Sequence, residues 1–140
     1  KLRSKINYFM SLFNIEIVTP TQIIKKDKVS YLRCPGMDGL FGVLSGHRDA
    51  LIALNLGEIK ISLDSSDLIY ATSGGFAEIS SNKVEILVET IEKAENIDKI
   101  RAEASLKRAK DRLKSNDGID SKRAELSLAR AMNRLSISTK

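Results

Sequence analysis

Cysteine, proline and aromatic residues are scarce in this chain. Its 140 residues include one cysteine, two prolines and no tryptophan, and aromatic residues make up 5% of the total. The single cysteine, Cys34, cannot form an internal disulfide, so we expect a reducing, intracellular setting and exclude a zinc site built on cysteines. Because no aromatic stacking platform is interleaved with the basic residues, nucleic acid is a poor candidate partner.

Long hydrophobic runs are also missing. The apolar stretches fall far short of the roughly 20 residues that span a bilayer, and no signal-peptide pattern precedes the first strand. We therefore expect membrane association only indirectly, through a partner. Residues 1–9 are interpreted as a basic leader or a cloning remnant ahead of Met10. A chain of 140 residues that is 42% hydrophobic is long enough for one domain with a core plus an appendage.

Positive charge is concentrated toward the C-terminus. The formal net charge is +5, of which residues 1–9 carry +3, residues 10–88 carry −2 and residues 89–140 carry +4. A positive field on the C-terminal part would speed encounter with an acidic surface or a polyphosphate. A merely solvated helical pair is the favoured explanation of the charge alone, so charge does not identify the partner.

Two stripes of alanine and leucine dominate the C-terminal part. Each stripe steps by four, three and four residues, which places its members on one face of an α-helix. The members are Ala102, Leu106, Ala109 and Leu113 in the first stripe, and Ala124, Leu128, Ala131 and Leu135 in the second. The cluster Ser115–Gly118 between them is typical of a turn. We therefore predict two helices that fold back on each other as an antiparallel hairpin.

The sequence predicts two helices of high helix propensity whose contact with each other is weak. Alanine seams let helices approach closely but bury little apolar area, which contributes only about 25 cal/mol per Å². Helix propensity is good throughout, because alanine, leucine, lysine, arginine and glutamate dominate. Two alternatives remain open at this point: a hairpin that opens when another surface offers better contacts, and one that stays permanently docked.

The N-terminal part has the period-two pattern of short strands. Phe13, Ile15 and Ile17 share one face of the first strand, and further strands are predicted over Gln22–Lys26, Lys28–Cys34, Leu40–Leu44, Asp49–Leu56, Glu58–Leu63, Leu68–Ser80 and Val84–Val88. Gly74 and Gly75 are interpreted as a bulge or bend in a strand pair. Eight or more strands with regular turns favour an antiparallel β-sandwich or barrel.

Together these patterns predict a segregated α+β fold. Residues 10–90 form the β-sandwich domain, and residues 91–140 form the C-terminal helical hairpin. Residues 1–9, interpreted as a leader or cloning remnant, are left out of this assignment.

The start of the first helix carries the most suggestive charged residues. Asn96 is expected to cap the helix, while Asp98 complements the helix dipole and pairs with Arg101 three residues later. Arg101 and Arg108 line the first stripe, and a second pair lines the other, at Arg130 and Arg134. Since guanidinium groups bind phosphate oxygens in bidentate geometry, a pocket between the folded helices could hold a nucleotide polyphosphate.

No pattern supports chemistry of the chain's own. The GxxxxGK[ST] and GxGxxG loops are absent, and no Glu/His cluster has metal-ligand spacing. His47 has no nucleophile with a carboxylate partner at a convincing spacing and is interpreted as structural. Cys34 is interpreted as a small core residue. We therefore predict no catalytic residues, no metal site and no enzyme activity.

Five segments, in order and with the expected spacing, resemble a known family. They are Ile17–Pro20, Gly42–His47, Ser73–Phe76, Lys122–Leu126 and Arg130–Leu135. Together they are similar to the epsilon subunit of the bacterial F-type ATP synthase, in the form found in Bacillus-type enzymes. Ser45 departs from that family's usual proline.

The resemblance implies a non-catalytic rotor subunit. In that family the β-sandwich sits against the gamma subunit and the membrane ring of c subunits, at the cytoplasmic face of the bacterial plasma membrane. The hairpin either lies folded or extends toward the catalytic beta and alpha subunits, where it inhibits ATP hydrolysis. The alternatives are a purely structural coupling subunit with a fixed hairpin and a free-standing nucleotide- or polyanion-binding module.

The run Ile97–Ala102 matches the [IL]DxxRA motif of that family, which in some members binds ATP in the folded state. By position, the resemblance implies an ATP site formed by Glu92, Ile97, Asp98, Arg101, Ala102 and Arg108, with Arg130 and Arg134 from the second helix. It implies no required cofactor, and ATP as a regulatory ligand.

Overall fold

The chain forms two compact units, Lys1–Ile91 and Glu92–Lys140. The computed structural model describes residues 12–115 and 121–138. The predicted leader and the centre of the predicted turn between the helices lie outside these residues.

From residue 12 onward, where the structure describes the chain, ten short strands build the sheet of the first unit and its boundary with the second. They are β1 (Phe13–Val18), β2 (Ile23–Val29), β3 (Tyr31–Gly36), β4 (Gly39–Val43), β5 (Ala50–Leu54), β6 (Gly57–Ser62), β7 (Asp67–Thr72), β8 (Gly75–Ser80), β9 (Lys83–Val88) and β10 (Ile91–Lys93). Apart from β10, their order in the sheet runs β7-β6-β3-β5-β8-β9-β1-β2, with β4 beside β3. The predicted β-sandwich followed by a helical hairpin is confirmed.

One strand pair departs from the predicted antiparallel arrangement. β1 lies antiparallel to β2 but parallel to β9, with Ile15 opposite Val84 and Ile17 opposite Ile86. A parallel pair requires a long crossover connection, and here the rest of the unit supplies it. Local patterns cannot reveal such a pairing, since the two strands lie at opposite ends of the unit.

The core of the first unit comes from the inward-facing residues of these strands. Phe13, Ile15 and Ile17 alternate with Asn14 and Glu16, as the period-two pattern predicts, and their side chains are at most 4% exposed. Branched aliphatic side chains fill most of the remaining core and suit the pleated surface of a strand. They include Val29, Leu32, Val43, Leu54, Ile59, Ile61, Ile79, Val84, Ile86 and Val88.

The predicted single strand over Lys28–Cys34 is wrong. Its alternation would place Val29 on the face opposite Leu32 and Cys34, but all three side chains are fully buried. The chain ends β2 at Val29, bends at Ser30 and begins β3 at the next residue. The bend resets the alternation, so one period-two pattern cannot be carried across it.

Gly74 and Gly75 form a bend between two strands that do not pair with each other. β7 pairs with β6, whereas β8 pairs with β5 and β9. Both glycines have positive φ, +107° and +154°. A Cβ atom on Gly75 would collide with the carbonyl oxygen of Leu87 on the neighbouring strand. The expectation of irregular backbone is confirmed, while its placement within one strand pair is wrong.

Two helices and a short 3-10 helix make up most of the described residues of the second unit. The 3-10 helix is Ala94–Asn96, and the helices are α1 (Lys99–Ser115) and α2 (Ser121–Ser138). The predicted seams are confirmed for their alanines, whose exposed fractions are 0% for Ala102, 2% for Ala109, 6% for Ala124 and 2% for Ala131. Neither helix in the described part of the chain is long and apolar enough to cross a membrane.

Substituting Gly75 by alanine tests the backbone requirement at the bend. We expect Gly75→Ala to lower the free energy of unfolding by about 3 kcal/mol, because positive φ and a collision with backbone act together. Urea denaturation followed by circular dichroism measures this. Gly46→Ala is the matched control, since Gly46 has φ +81° but open space around the added Cβ. Equal losses in both variants would contradict the role of the collision.

Candidate functional site

Asp98 caps the N-terminus of α1. Its Oδ1 accepts a hydrogen bond of 3.1 Å from the backbone N–H of Arg101, and its carbonyl oxygen accepts one of 2.9 Å from the N–H of Ala102. This geometry satisfies one of the otherwise unpaired N–H groups of the first turn, and the carboxylate also complements the helix dipole. The prediction that Asn96 caps the helix is wrong, because Asn96 ends the preceding 3-10 helix.

Asp98 and Arg101 are therefore joined through backbone rather than through a side-chain ion pair. The carboxylate is engaged by the N–H of Arg101, and the guanidinium of Arg101 forms no ion pair within the described residues. The side chain of Arg101 is exposed. The structural role of Asp98 thus leaves the positive charge of Arg101 available at the surface.

Glu92 and Arg134 form a bidentate ion pair. Nε and Nη2 of Arg134 donate to Oε1 of Glu92 at 3.1 and 3.0 Å, and Nη2 also lies 3.2 Å from Oε2. The side chains are about one-third exposed, 31% for Arg134 and 37% for Glu92. The structure therefore brings together two of the predicted site residues that lie 42 positions apart in the chain.

The other predicted arginines present their side chains to solvent. Arg108 donates a hydrogen bond of 3.0 Å from Nη2 to the hydroxyl of Ser105, three residues earlier on α1. Arg130 is exposed and forms no ion pair among residues 12–115 and 121–138. Each of these guanidinium groups retains free donors, which an anionic ligand can use without first displacing a carboxylate.

Ile97 and Ala102 are the buried members of the predicted site. Ile97 is 8% exposed and Ala102 is fully buried. The N–H of Ile97 donates to the carbonyl oxygen of Ala94 at 3.2 Å, which ends the 3-10 helix just before Asp98. These two apolar residues fix the start of α1, so the polar groups around them are held on a defined backbone.

Cys34 and His47 are two further residues that the sequence analysis considered as candidates. Cys34 is fully buried, and burial raises the pKa of its thiol to about 12, so the thiol stays protonated at neutral pH. His47 is exposed, with Nδ1 2.8 Å from the carbonyl oxygen of Arg48. Within the described residues no group of three or more His, Cys, Asp or Glu side chains could hold a metal ion.

Sequence reasoning missed three features of the second unit. It did not find the pairing of Glu92 with Arg134, because no periodic signal connects residues so far apart. It also missed Ser105, although the three-residue spacing from Arg108 on a helix could have identified it. Ile137 is 2% exposed and belongs to the buried set, yet it falls outside the predicted alanine and leucine stripe.

The two units correspond to the two parts of one known family. Residues 12–94 match the family model described as ATP synthase, Delta/Epsilon chain, beta-sandwich domain. Residues 95–139 match the model described as ATP synthase, Delta/Epsilon chain, long alpha-helix domain. The chain therefore belongs to the delta/epsilon-chain family of ATP synthase.

Individual relatives indicate which type within the delta/epsilon-chain family this chain is. The chain is 43% identical to the ATP synthase epsilon chain of Lawsonia intracellularis over 100 residues, which are 71% of this chain and 75% of that protein. It is 39% identical to the epsilon chain of Koribacter versatilis over 104 residues, 74% of this chain and 73% of that one. Within the family, the chain is of the epsilon type of the F-type enzyme, a subunit without a catalytic site of its own.

Two solved structures share the fold. A chain in the Euglena gracilis mitochondrial ATP synthase superposes with a TM-score of 0.81 at 22% identity, covering 92% of this chain and 82% of that one. A chain in the Tetrahymena thermophila mitochondrial ATP synthase gives a TM-score of 0.60 at 14% identity, covering 90% and 96%. At these identities the likeness concerns the fold alone.

Replacing Asp98 tests its role as a cap. We expect Asp98→Ala to destabilise the first turn of α1 by about 1 kcal/mol, because an N–H of that turn loses its acceptor. Hydrogen–deuterium exchange at the amide of Arg101, followed by NMR, should therefore accelerate about fivefold. Asn96→Ala is the control and should leave that rate unchanged. An equal acceleration in both variants would contradict the assignment of the cap.

Proposed function

We propose that this chain is a rotor subunit of the central stalk, with a hairpin that acts as a two-state brake. Its β-sandwich couples the gamma subunit and the c-ring to the catalytic head at the cytoplasmic face of the plasma membrane. Its hairpin inhibits ATP hydrolysis when extended toward the beta and alpha subunits, and ATP stabilises the folded state.

One observation carries the ATP part of the proposal. In the predicted site, Arg101, Arg108 and Arg130 have exposed side chains whose guanidinium groups form no ion pair within the described residues. Exposed guanidinium groups suit phosphate oxygens, since the planar fork of donors matches their geometry. Ile97, four residues before Arg101, adds an apolar side chain to the predicted site, and ligand sites combine apolar lining with a few placed polar groups.

The packing of the helices supports a movable hairpin. The seam is built from alanines, whose small side chains bury little apolar area when the helices meet. The leucines of the stripes are only half-buried. The contact between the two helices is therefore weak compared with the core of the first unit. Weakly held elements are the ones that open locally.

The rotor part is supported by an exposed apolar row on the outer face of the sheet. Phe76 on β8 lies opposite Leu87 on β9, Leu87 opposite Val18 on β1, and Val18 opposite Ile23 on β2. Phe76, Leu87 and Ile23 are 51%, 42% and 60% exposed. Contiguous exposed apolar side chains mark protein–protein contact sites, so this row is a suitable docking surface for the gamma subunit.

The names of similar proteins agree with this placement. The relatives in Lawsonia and Koribacter are called ATP synthase epsilon chains. The Euglena structure is described as OSCP/F1/c-ring, and the Tetrahymena structure as central stalk/c-ring. Under our proposal the chain takes the corresponding position, and it reaches the membrane only through the complex.

A fixed hairpin is the second candidate. The bidentate pair between Glu92 and Arg134 favours it, because it ties α2 to the segment that precedes α1. In that case the chain would couple rotation without acting as a brake. Amide exchange in α2 distinguishes the two, since a fixed hairpin exchanges at the same rate with and without ATP.

Calorimetric titration of the full chain with ATP in the absence of magnesium tests the site. We expect saturable binding of one ATP, weakened more than about tenfold, roughly 1.4 kcal/mol, by either Arg101→Ala or Arg130→Ala, because each removes phosphate-binding donors. Arg123→Ala, an exposed arginine on α2 outside the site, is the control and should bind as the original chain does. Absence of heat at millimolar ATP would overturn the ATP-held brake but not the rotor assignment.

Substitution at Phe76 tests the docking surface. We expect Phe76→Asp to weaken binding of the full chain to its gamma subunit at least tenfold, because a carboxylate would be desolvated within an apolar contact. Surface plasmon resonance measures this. Leu126→Asp introduces the same charge at an exposed position of α2 and should change the affinity less than twofold. Unchanged binding of Phe76→Asp would place the contact on another face.

A further inference from the structure

The ion pair between Glu92 and Arg134 joins the start of the second unit to α2. Three donor–acceptor distances of 3.0 to 3.2 Å connect the guanidinium of Arg134 with both carboxylate oxygens of Glu92. Bidentate charge-assisted hydrogen bonds are stronger and more directional than neutral ones. The geometry is therefore part of the folded arrangement of the second unit.

The position of this pair in the chain means that the hairpin cannot open without breaking it. Glu92 lies before the 3-10 helix and α1, and Arg134 lies in the last part of α2. The two residues are 42 positions apart. Any motion that separates α2 from α1 and its preceding segment must break the pair, whereas fraying at the N-terminus of α2 leaves it intact.

The pair also distinguishes Arg134 from the other arginines of the predicted site. Arg101 and Arg130 have exposed side chains without an ion pair in the described residues, and Arg108 bonds only to a hydroxyl. Three arginines are thus free to bind a phosphate, while Arg134 is already bound to a carboxylate. A phosphate that used the same donors of Arg134 would have to displace Glu92.

We propose that the Glu92–Arg134 ion pair is a latch that holds the hairpin folded. The proposal rests on the proposed function only in taking the hairpin to have a folded and an open state. The latch adds to the weak alanine seam a contact that exists in the folded state alone. Since the pair is about one-third exposed, solvent and salt screen it, so its contribution is modest and falls with ionic strength.

Hydrogen–deuterium exchange of the full chain, measured in nucleotide-free buffer at low salt, tests the latch. We expect Glu92→Gln and Arg134→Gln each to accelerate exchange in peptides of residues 122–138 about fivefold. Glutamine keeps the approximate shape of glutamate and the helix propensity of arginine while removing the charge. Arg123→Gln, at an exposed arginine of α2 outside the predicted site, is the matched control. Peptides of β1 and β9 should not change in any variant.

The double variant Glu92→Gln with Arg134→Gln separates a pairwise effect from two independent ones. A latch predicts that the double variant is no faster than either single variant, because the pair can be lost only once. Independent contributions would multiply to about 25-fold and would overturn the proposal. Single variants that exchange no faster than Arg123→Gln would overturn it as well.

The outcome for the latch is distinguishable from the outcome for the proposed function. Adding ATP to the original chain should slow exchange in residues 122–138 if ATP stabilises the folded hairpin. Absence of that slowing, together with acceleration in the single variants, overturns the ATP-held brake and supports the latch. Slowing by ATP without acceleration in the variants overturns the latch and supports the brake.

Discussion

The close approach of two helices at four alanines is the constraint on which the second unit depends. Ala102, Ala109, Ala124 and Ala131 are nearly or fully buried, and a larger side chain at any of them would push α1 and α2 apart. The same smallness limits how much apolar area the contact removes from water. The helical unit is therefore specific in its geometry but weak in its cohesion, so single polar contacts have a large share in deciding its state.

The first unit differs from the second, because large apolar side chains form its core. Its strands bury branched aliphatic residues such as Ile59, Ile61 and Ile86 completely, and each such side chain contributes roughly 1.5–3 kcal/mol by burial. The sheet therefore keeps its shape while the helical unit responds to what binds it. An anchor of this kind and a responsive appendage together fit a subunit that docks permanently on a rotor and regulates it, as we propose.

The sequence predicts what depends on local periodicity and fails where distant residues meet. The strand over Phe13–Val18 and the alanine seams follow from period two and period 3.6, and both are confirmed. The bend at Ser30 and the parallel pairing of β1 with β9 carry no periodic signal. Family resemblance placed Glu92 and Arg134 in one site, but only the three-dimensional structure shows that they bind each other.

The latch changes what a regulatory nucleotide has to accomplish. A ligand shifts a two-state equilibrium only by its differential affinity for the two states, and moving a population from 1:99 to 99:1 requires about 10⁴-fold. If Glu92 and Arg134 already favour the folded state about fivefold, as the exchange experiment would measure, the nucleotide must supply correspondingly less. A ligand phosphate that displaces Glu92 from Arg134 loses this fivefold preference for the folded state. A phosphate bound by Arg101 and Arg130 keeps the preference and adds its own contribution. Leaving Arg134 to its carboxylate is therefore the arrangement in which ion pair and ligand act in the same direction.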